Sequence, residues 1–323
     1  MLSTKHAGTA AKSRIFRSTL RTVAKLRFAL VAALAAVLSA TPSFAENFAF
    51  VSANGGGTAC TAAAPCKSIG DAFGNIAAPI RIICLSGSQP TTSGIGFTTS
   101  VSVDIDCPLG FEAQIGVGGT ASNVTMRLRH LEFRNVGFTS QIVFQGGGTL
   151  ILEDCVFTDA PGVALDIEPN GPLNLIIKNT RVSNGAAAGV LLKPASGGSV
   201  TATFDGVTIT NNAGGLRTDT TNGAVRVDIS NSTISNNANN GLIAIGGAGG
   251  PNMVTVKNDV IASNGQAGIE ASGATAAVLV NNTVLDSNGS ALSAVSSGKI
   301  LTYQNNSIVG SAGTGFTGTA SPQ

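Results

Sequence analysis

From about residue 130 onward the chain repeats one alternation of apolar and polar positions, closing each time on a turn-forming residue. Leu175-Ile-Ile-Lys-Asn179, Val227-Asp-Ile-Ser-Asn231, Val254-Thr-Val-Lys-Asn258 and Val278-Leu-Val-Asn-Asn282 each read as a period-two strand that ends on Asn. Aligning the last apolar residue gives one column: Phe133, Leu152, Ile177, Phe204, Ile229, Val256, Val280 and Tyr303. Two positions later comes a turn column of Asn135, Asp154, Asn179, Gly206, Asn231, Asn258, Asn282 and Asn305. Three further on, a second apolar column runs Phe138, Phe157, Val182, Ile209, Ile234, Ile261, Leu285 and Ile308. The turn residues are 19, 25, 27, 25, 27, 24 and 23 apart, so one unit recurs about every 25 residues.

Asn, Asp and Gly tolerate the left-handed backbone that a sharp strand-to-strand corner needs. A further strand follows each corner, opened by Gly162-Val163, Gly189-Val190, Gly215-Leu216, Gly241-Leu242, Gly268-Ile269 and Gly315-Phe316. Two or three strands per unit, each pairing in parallel with its counterpart in the next, make a β-solenoid. With rungs about 4.8 Å apart, about ten coils give a rod of roughly 45–50 Å. The outward residues before the turns, Glu153, Lys178, Asp205, Ser230 and Lys257, alternate in sign from rung to rung. Such cross-strand pairs contribute about 0.2–1 kcal/mol each and give these charges a structural purpose.

Continued upstream, the register puts Ile82 and Ile105 in the inward column and Cys84 and Cys107 in the turn column, 23 residues apart. Neighbouring rungs hold such positions about 5 Å apart, within disulfide range. Cys60 and Cys66 are expected to close a small loop together, leaving Cys155 as a free thiol. Between these pairs, residues 68–76 predict a short amphipathic helix. Ser68 caps it with Asp71 three residues on, and Ile69, Ala72, Phe73 and Ile76 share one face. Its expected role is to cover the open apolar end of the first coil.

Residues 1–45 differ from the rest. Seven basic residues precede any acidic one, an apolar run spans Phe28 to Leu38, and Ser43-Phe44-Ala45 closes the segment. That order is the plan of a secretory signal, so export to a secreted, periplasmic or cell-surface location is expected, with cleavage before Glu46. The apolar run is too short to span a membrane. Removing the segment leaves 12 basic against 17 acidic residues, a net charge of about −5 where the whole chain has +2. A basic patch interleaved with aromatics is missing, which disfavours nucleic acid as a partner. The expected organisation is a signal at 1–45, a cap at 46–79 and the β-helix at 80–323.

The chain resembles the right-handed parallel β-helix, or pectin-lyase-like, superfamily, and in particular small secreted bacterial proteins of that fold. The resemblance rests on Phe50-Val51-Ser52, Cys60 to Cys66 followed by Lys67, the strand Ile80 to Leu85, and Val101 to Cys107. It covers residues 46–323 and implies right-handed winding. Several relatives cleave acidic polysaccharides, but the Asn-Thr-Asp, Asp-Asp, Gly-His-Gly and Arg-Ile-Lys motifs of the polygalacturonase-like branch do not occur here.

The richest acidic cluster is Glu153, Asp154, Asp159, Asp166 and Glu168, all on one coil, with Lys178, Arg181 and Lys193 on the next. As a calcium or sugar-acid site it competes with a plainer reading, ladder pairs on a solvated face, and the plainer reading is preferred. His130, the only His after the signal, is placed on a solvated strand edge. With no Trp and one Tyr, Tyr303, a stacking platform for sugars could come only from Phe, and most Phe are assigned to the core. No catalytic residue, metal or cofactor is assigned. The expected function is a non-catalytic rod that binds a polysaccharide or another surface component. The alternative is a divergent lyase or glycoside hydrolase acting on an acidic polysaccharide. The C-terminal residues 317–323 offer no cap, which points to self-association through the last coil.

Overall fold

The computed structural model describes residues 47–75, 80–85, 95–99, 102–108, 115–120, 124–134 and 139–320. Residues 1–45, where a signal is expected, and Ile76, Asn135 and Phe138 lie outside the described residues. By contacts the chain divides into Met1–Ala45 and Glu46–Gln323, and the second unit is the solenoid.

Each coil between residues 148 and 295 visits three faces, with a corner between the first and second and another between the second and third. Pro172–Lys178 lies in a first sheet, Arg181–Ser183 in a second and Ala188–Leu192 in a third, after which Ser199–Asp205 re-enters the first. The sheets hold twelve, eight and nine strands, and their strands pair in parallel with those of the coils before and after. Counted on the second sheet the solenoid has about eight turns, slightly fewer than the ten or so expected. The difference arises because the earliest rungs add strands to the first and third sheets before the second begins at Glu132–Phe133. Asn47–Val51 pairs with Ile80–Cys84, so the first sheet starts inside the cap segment.

The inward column of the first sheet runs Ile82, Ile105, Leu128, Leu152, Ile177, Phe204, Ile229, Val256, Val280 and Thr302. Two expected members are displaced. Phe133 belongs to the second sheet, where its ring stacks on Phe157 with centroids 4.5 Å apart. At the far end Thr302, not Tyr303, pairs with Val280. The turn column is therefore His130, Asp154, Asn179, Gly206, Asn231, Asn258, Asn282 and Gln304, all with φ between 45° and 66°. Four expected third-sheet openings hold, at Gly189, Gly215, Gly241 and Gly268, but the strand expected at Gly162-Val163 begins at Leu165, and Gly315-Phe316 opens no strand in that sheet.

A second ladder sits at the corner between the second and third sheets. Asn212, Asn237, Asn264 and Asn288 point inward and are buried. Each of the first three amides donates to the next, at 3.2, 3.0 and 2.8 Å. The backbone N–H of each bonds the same oxygen. The strand-opening glycines make room for it: a Cβ on Gly241 would lie 2.7 Å from Nδ2 of Asn264.

At the N-terminal end the helix spans Ile69–Asn75. Ser68 Oγ accepts the Asp71 N–H at 3.0 Å and donates to its carboxylate at 2.7 Å, while Ile69 and Ala72 are buried and Phe73 packs against the core. Cys60 is joined to Cys66 and Cys84 to Cys107, each pair with Cα atoms 4.6 Å apart. At the other end Gly318–Thr319 pairs with Leu301–Thr302 and Phe316 packs on the core, covering part of an end expected to be bare. Cys155 is free and buried, and burial pushes its thiol up to about 12. Alkylation by iodoacetamide at pH 8 is expected to leave native Cys155 unlabelled and to modify it fully in denaturant. Rapid labelling of the native chain would mean that this corner opens readily.

Candidate functional site

The acids of the richest cluster diverge onto different faces. Glu153 ends a first-sheet strand, Asp154 and Asp159 are left-handed residues at the two corners, Asp166 stands on the third sheet and Glu168 follows its strand. Glu153 accepts two bonds from Arg127, at 2.6 and 2.8 Å, and lies beside Lys178 of the next rung. Arg181 stands in the second sheet beside Val156, and Lys193 follows a third-sheet strand. Among the described residues no three His, Cys, Asp or Glu side chains converge as a metal site requires. These acids do not fit a shared calcium ion.

His130 is not on a strand edge but in the turn column. Its Nδ1 lies 2.8 Å from Asp106 on the rung before, and its Nε2 lies 3.8 Å from Asp154 on the rung after. Arg129 bonds Asp104 and Asp106, and Arg81 approaches Asp104. The first sheet thus carries an alternating zipper of charges over its N-terminal rungs. Partly exposed pairs of this kind add tenths of a kcal/mol each.

The third sheet presents a different surface. Its outward column runs Val143, Asp166, Leu191, Arg217, Ile243, Glu270 and Ser293, so charged and apolar residues alternate over five central rungs. Beside it lies a shallow cleft of about 540 Å³, floored by Ala186–Ala188 and Ala213–Gly215 and edged by Arg217, Asn239, Asn240, Ile243 and Gln266. Tyr303 takes no part in it.

The Arg217 side chain is 47% exposed, and its guanidinium donates to Asp219 at 3.0 Å. Burial alone would raise Asp219, but bonds from Thr221 and Arg217 hold its carboxyl below the usual range. Asn240 is buried; its carbonyl oxygen accepts the Ala267 N–H at 2.9 Å and its amide donates to Glu270 at 3.2 Å. Asn239 and Gln266 face solvent. One cation and several amides on a small-residue floor suit carboxylates and hydroxyls. Two rungs from Arg217, Asp166 buries one carboxyl oxygen without a hydrogen bond. Burial and then Glu168 push its carboxyl up, against Lys193.

Asp166 was noted in the sequence, but Arg217 and Glu270 of this column were missed, although the glycine-opened strands point to them. If the residue after Gly189, Gly215, Gly241 or Gly268 faces inward, the next, Leu191, Arg217, Ile243 or Glu270, faces out.

A pectate lyase, Pel9A, has a similar structure, with a TM-score of 0.62 at 17% identity over 85% of this chain and 79% of that one. The A-module of a mannuronan C-5 epimerase from Azotobacter vinelandii aligns with a TM-score of 0.36 at 10% identity, over 75% and 91%. A rhamnogalacturonan lyase aligns with a TM-score of 0.37 at 11% identity, over 79% and 75%. No curated protein matches the chain. The likeness to the pectate lyase speaks for the fold alone. The sequence description of a right handed beta helix region matches residues 91–225 and again 215–322, well over half the chain. The chain belongs to the right-handed β-helix family.

Proposed function

We propose that this protein is an exported, non-catalytic rod that binds a polysaccharide or another surface component along its third sheet. The observation that carries this reading is the cleft at Arg217: a half-exposed cation among side-chain amides, on a flat column of regularly spaced rungs. An extended polymer lying along the axis meets a new rung about every 4.8 Å. Glu153, Asp154 and Asp159 stand away from Asp166 and Glu168, on the first sheet and at the corners, so the cluster does not act as one set of acids. Two disulfides suit an oxidising compartment, in keeping with the signal-like first 45 residues.

A second reading has one observation in its favour. Asp166, with its raised carboxyl beside Glu168 and Lys193, has the perturbed environment of an acid-base group in a divergent polysaccharide-cleaving enzyme.

Electrophoresis through gels cast with polygalacturonate, alginate or a neutral glucan tests the binding reading. The wild type is expected to be retarded by an acidic polymer. Arg217→Ala is expected to weaken that retardation about 10-fold, as loss of a charge-assisted contact should. Unchanged retardation of the variant would place the binding surface elsewhere.

A further inference from the structure

At the first corner, the residue after each left-handed position from 130 to 282 is buried in the solenoid. Four such residues are polar and buried: Thr180, Ser232, Asp259 and Thr283. The hydroxyls there serve in two directions. Thr180 accepts the Cys155 N–H at 3.3 Å and donates to the Lys178 carbonyl at 2.8 Å. Ser232 accepts the Val207 N–H at 3.0 Å and donates to the Ser230 carbonyl at 2.8 Å. Thr283 likewise donates to the Asn281 carbonyl at 2.9 Å.

Asp259 breaks the pattern. One oxygen accepts the Ser232 N–H at 2.6 Å and the other accepts the Lys257 N–H at 2.7 Å. An ionised carboxylate cannot donate, so the Lys257 carbonyl lacks the bond its counterparts at 178, 230 and 281 receive. The residue is only 2% exposed, and among the described residues no cation acts on it. The Lys257 side chain points outward to solvent. Ser230 to Ser232 on the rung before and Asn281 to Thr283 on the rung after are uncharged, as is the following strand Val260–Ala262. The charge that acts on it, Asp205 two rungs back, has the same sign.

We infer that Asp259 is a proton-operated rung: when the surroundings acidify it takes up a proton, donates to the Lys257 carbonyl as the hydroxyls of other rungs do, and tightens the C-terminal coils. The carboxyl agrees with this geometry. Burial lifts it to about 6 from 3.8, against the two N–H donors and with help from Asp205. A folded value above the unfolded one adds stability that is fully present below about pH 4 and lost as pH rises through about 6.

The test is urea unfolding of the full chain, followed by circular dichroism from about pH 4 to about pH 7.5, for the wild type, Asp259→Thr and Asp259→Ser. These substitutions restore the side chains found at 180 and 232. Relative to wild type, both variants are expected to gain on the order of 10- to 100-fold in folding equilibrium constant between the acid and neutral ends. Alongside it, the Asp259 carboxyl carbon of the wild type, correlated through bonds to its own backbone, is expected to titrate well above the ordinary carboxylate range. A constant difference across pH, or a carboxyl that titrates normally, would overturn the inference. The second readout stands even where a variant fails to fold.

Discussion

Asn237→Ala is expected to lower the free energy of unfolding by about 3 kcal/mol, because one truncation strands several buried partners at once. The Asn237 carbonyl oxygen accepts the backbone N–H and the amide of Asn212, at 3.0 and 3.2 Å. Its own amide donates to Asn264 and to the Ile209 carbonyl, at 3.0 and 3.3 Å. The side chain is 1% exposed, so water cannot replace these bonds. A solenoid is stabilised rung against rung, and the loss should appear as faster hydrogen exchange across the rungs that contain Asn212 and Asn264. Asn239→Ala, two residues away and exposed, is the control and should stay within about 0.5 kcal/mol of wild type. Equal stability of the two variants in urea would mean that the inner ladder contributes little.

The second large effect belongs to the N-terminal rungs. Replacing Cys84 and Cys107 together by Ser is expected to cost about 3 kcal/mol, since the bond closes a loop of 23 residues between neighbouring rungs. The Cys60–Cys66 bond, with a separation of 6, should be worth about 2 kcal/mol on the same scale. Brief trypsin digestion should show the loss locally. The 84/107 variant is expected to be cut at Arg81, Arg127 or Arg129 while the coils beyond residue 139 stay intact. Cleavage spread evenly along the rod would contradict a local role for the bond.

Both effects follow from a register that was largely visible in the sequence. Strands of period two that end on Asn have few other interpretations, and the columns from Leu152 to Val280 coincide with the paired residues of the sheet. At the two ends the expected alignment slipped, because an apolar residue announces burial without saying behind which sheet. Phe133 sits one corner beyond its assigned place, and the corner itself is made by His130, a residue not usually associated with left-handed backbone. The short interval of 19 was the visible symptom. Gln304 hid the last corner in the same way, drawing the alignment to Asn305.

The candidate site was less legible. Once the coil is divided into faces, position along the repeat decides where an acid points, and nearness in sequence stops implying nearness in space. Glu153 and Asp166 are 13 residues apart, yet they belong to different sheets. Arg217 and Glu270 are 53 residues apart and share one outward column. The inner asparagines recur at intervals of 25, 27 and 24, a period as regular as that of the outer turns. What concealed them was their place in Asn- and Gly-rich stretches, where a buried amide ladder and an exposed loop have the same composition.

Binding without cleavage is tested by prolonged incubation of the protein with a panel of uronic-acid polysaccharides in the presence of calcium. The chain length of the polymer and any unsaturated ends are then followed by mass spectrometry and ultraviolet absorbance. The predicted result is a polymer that is retained by the protein and recovered at its original length. Accumulation of unsaturated or shortened product, abolished by Asp166→Ala, would contradict it and assign the third sheet to an enzyme.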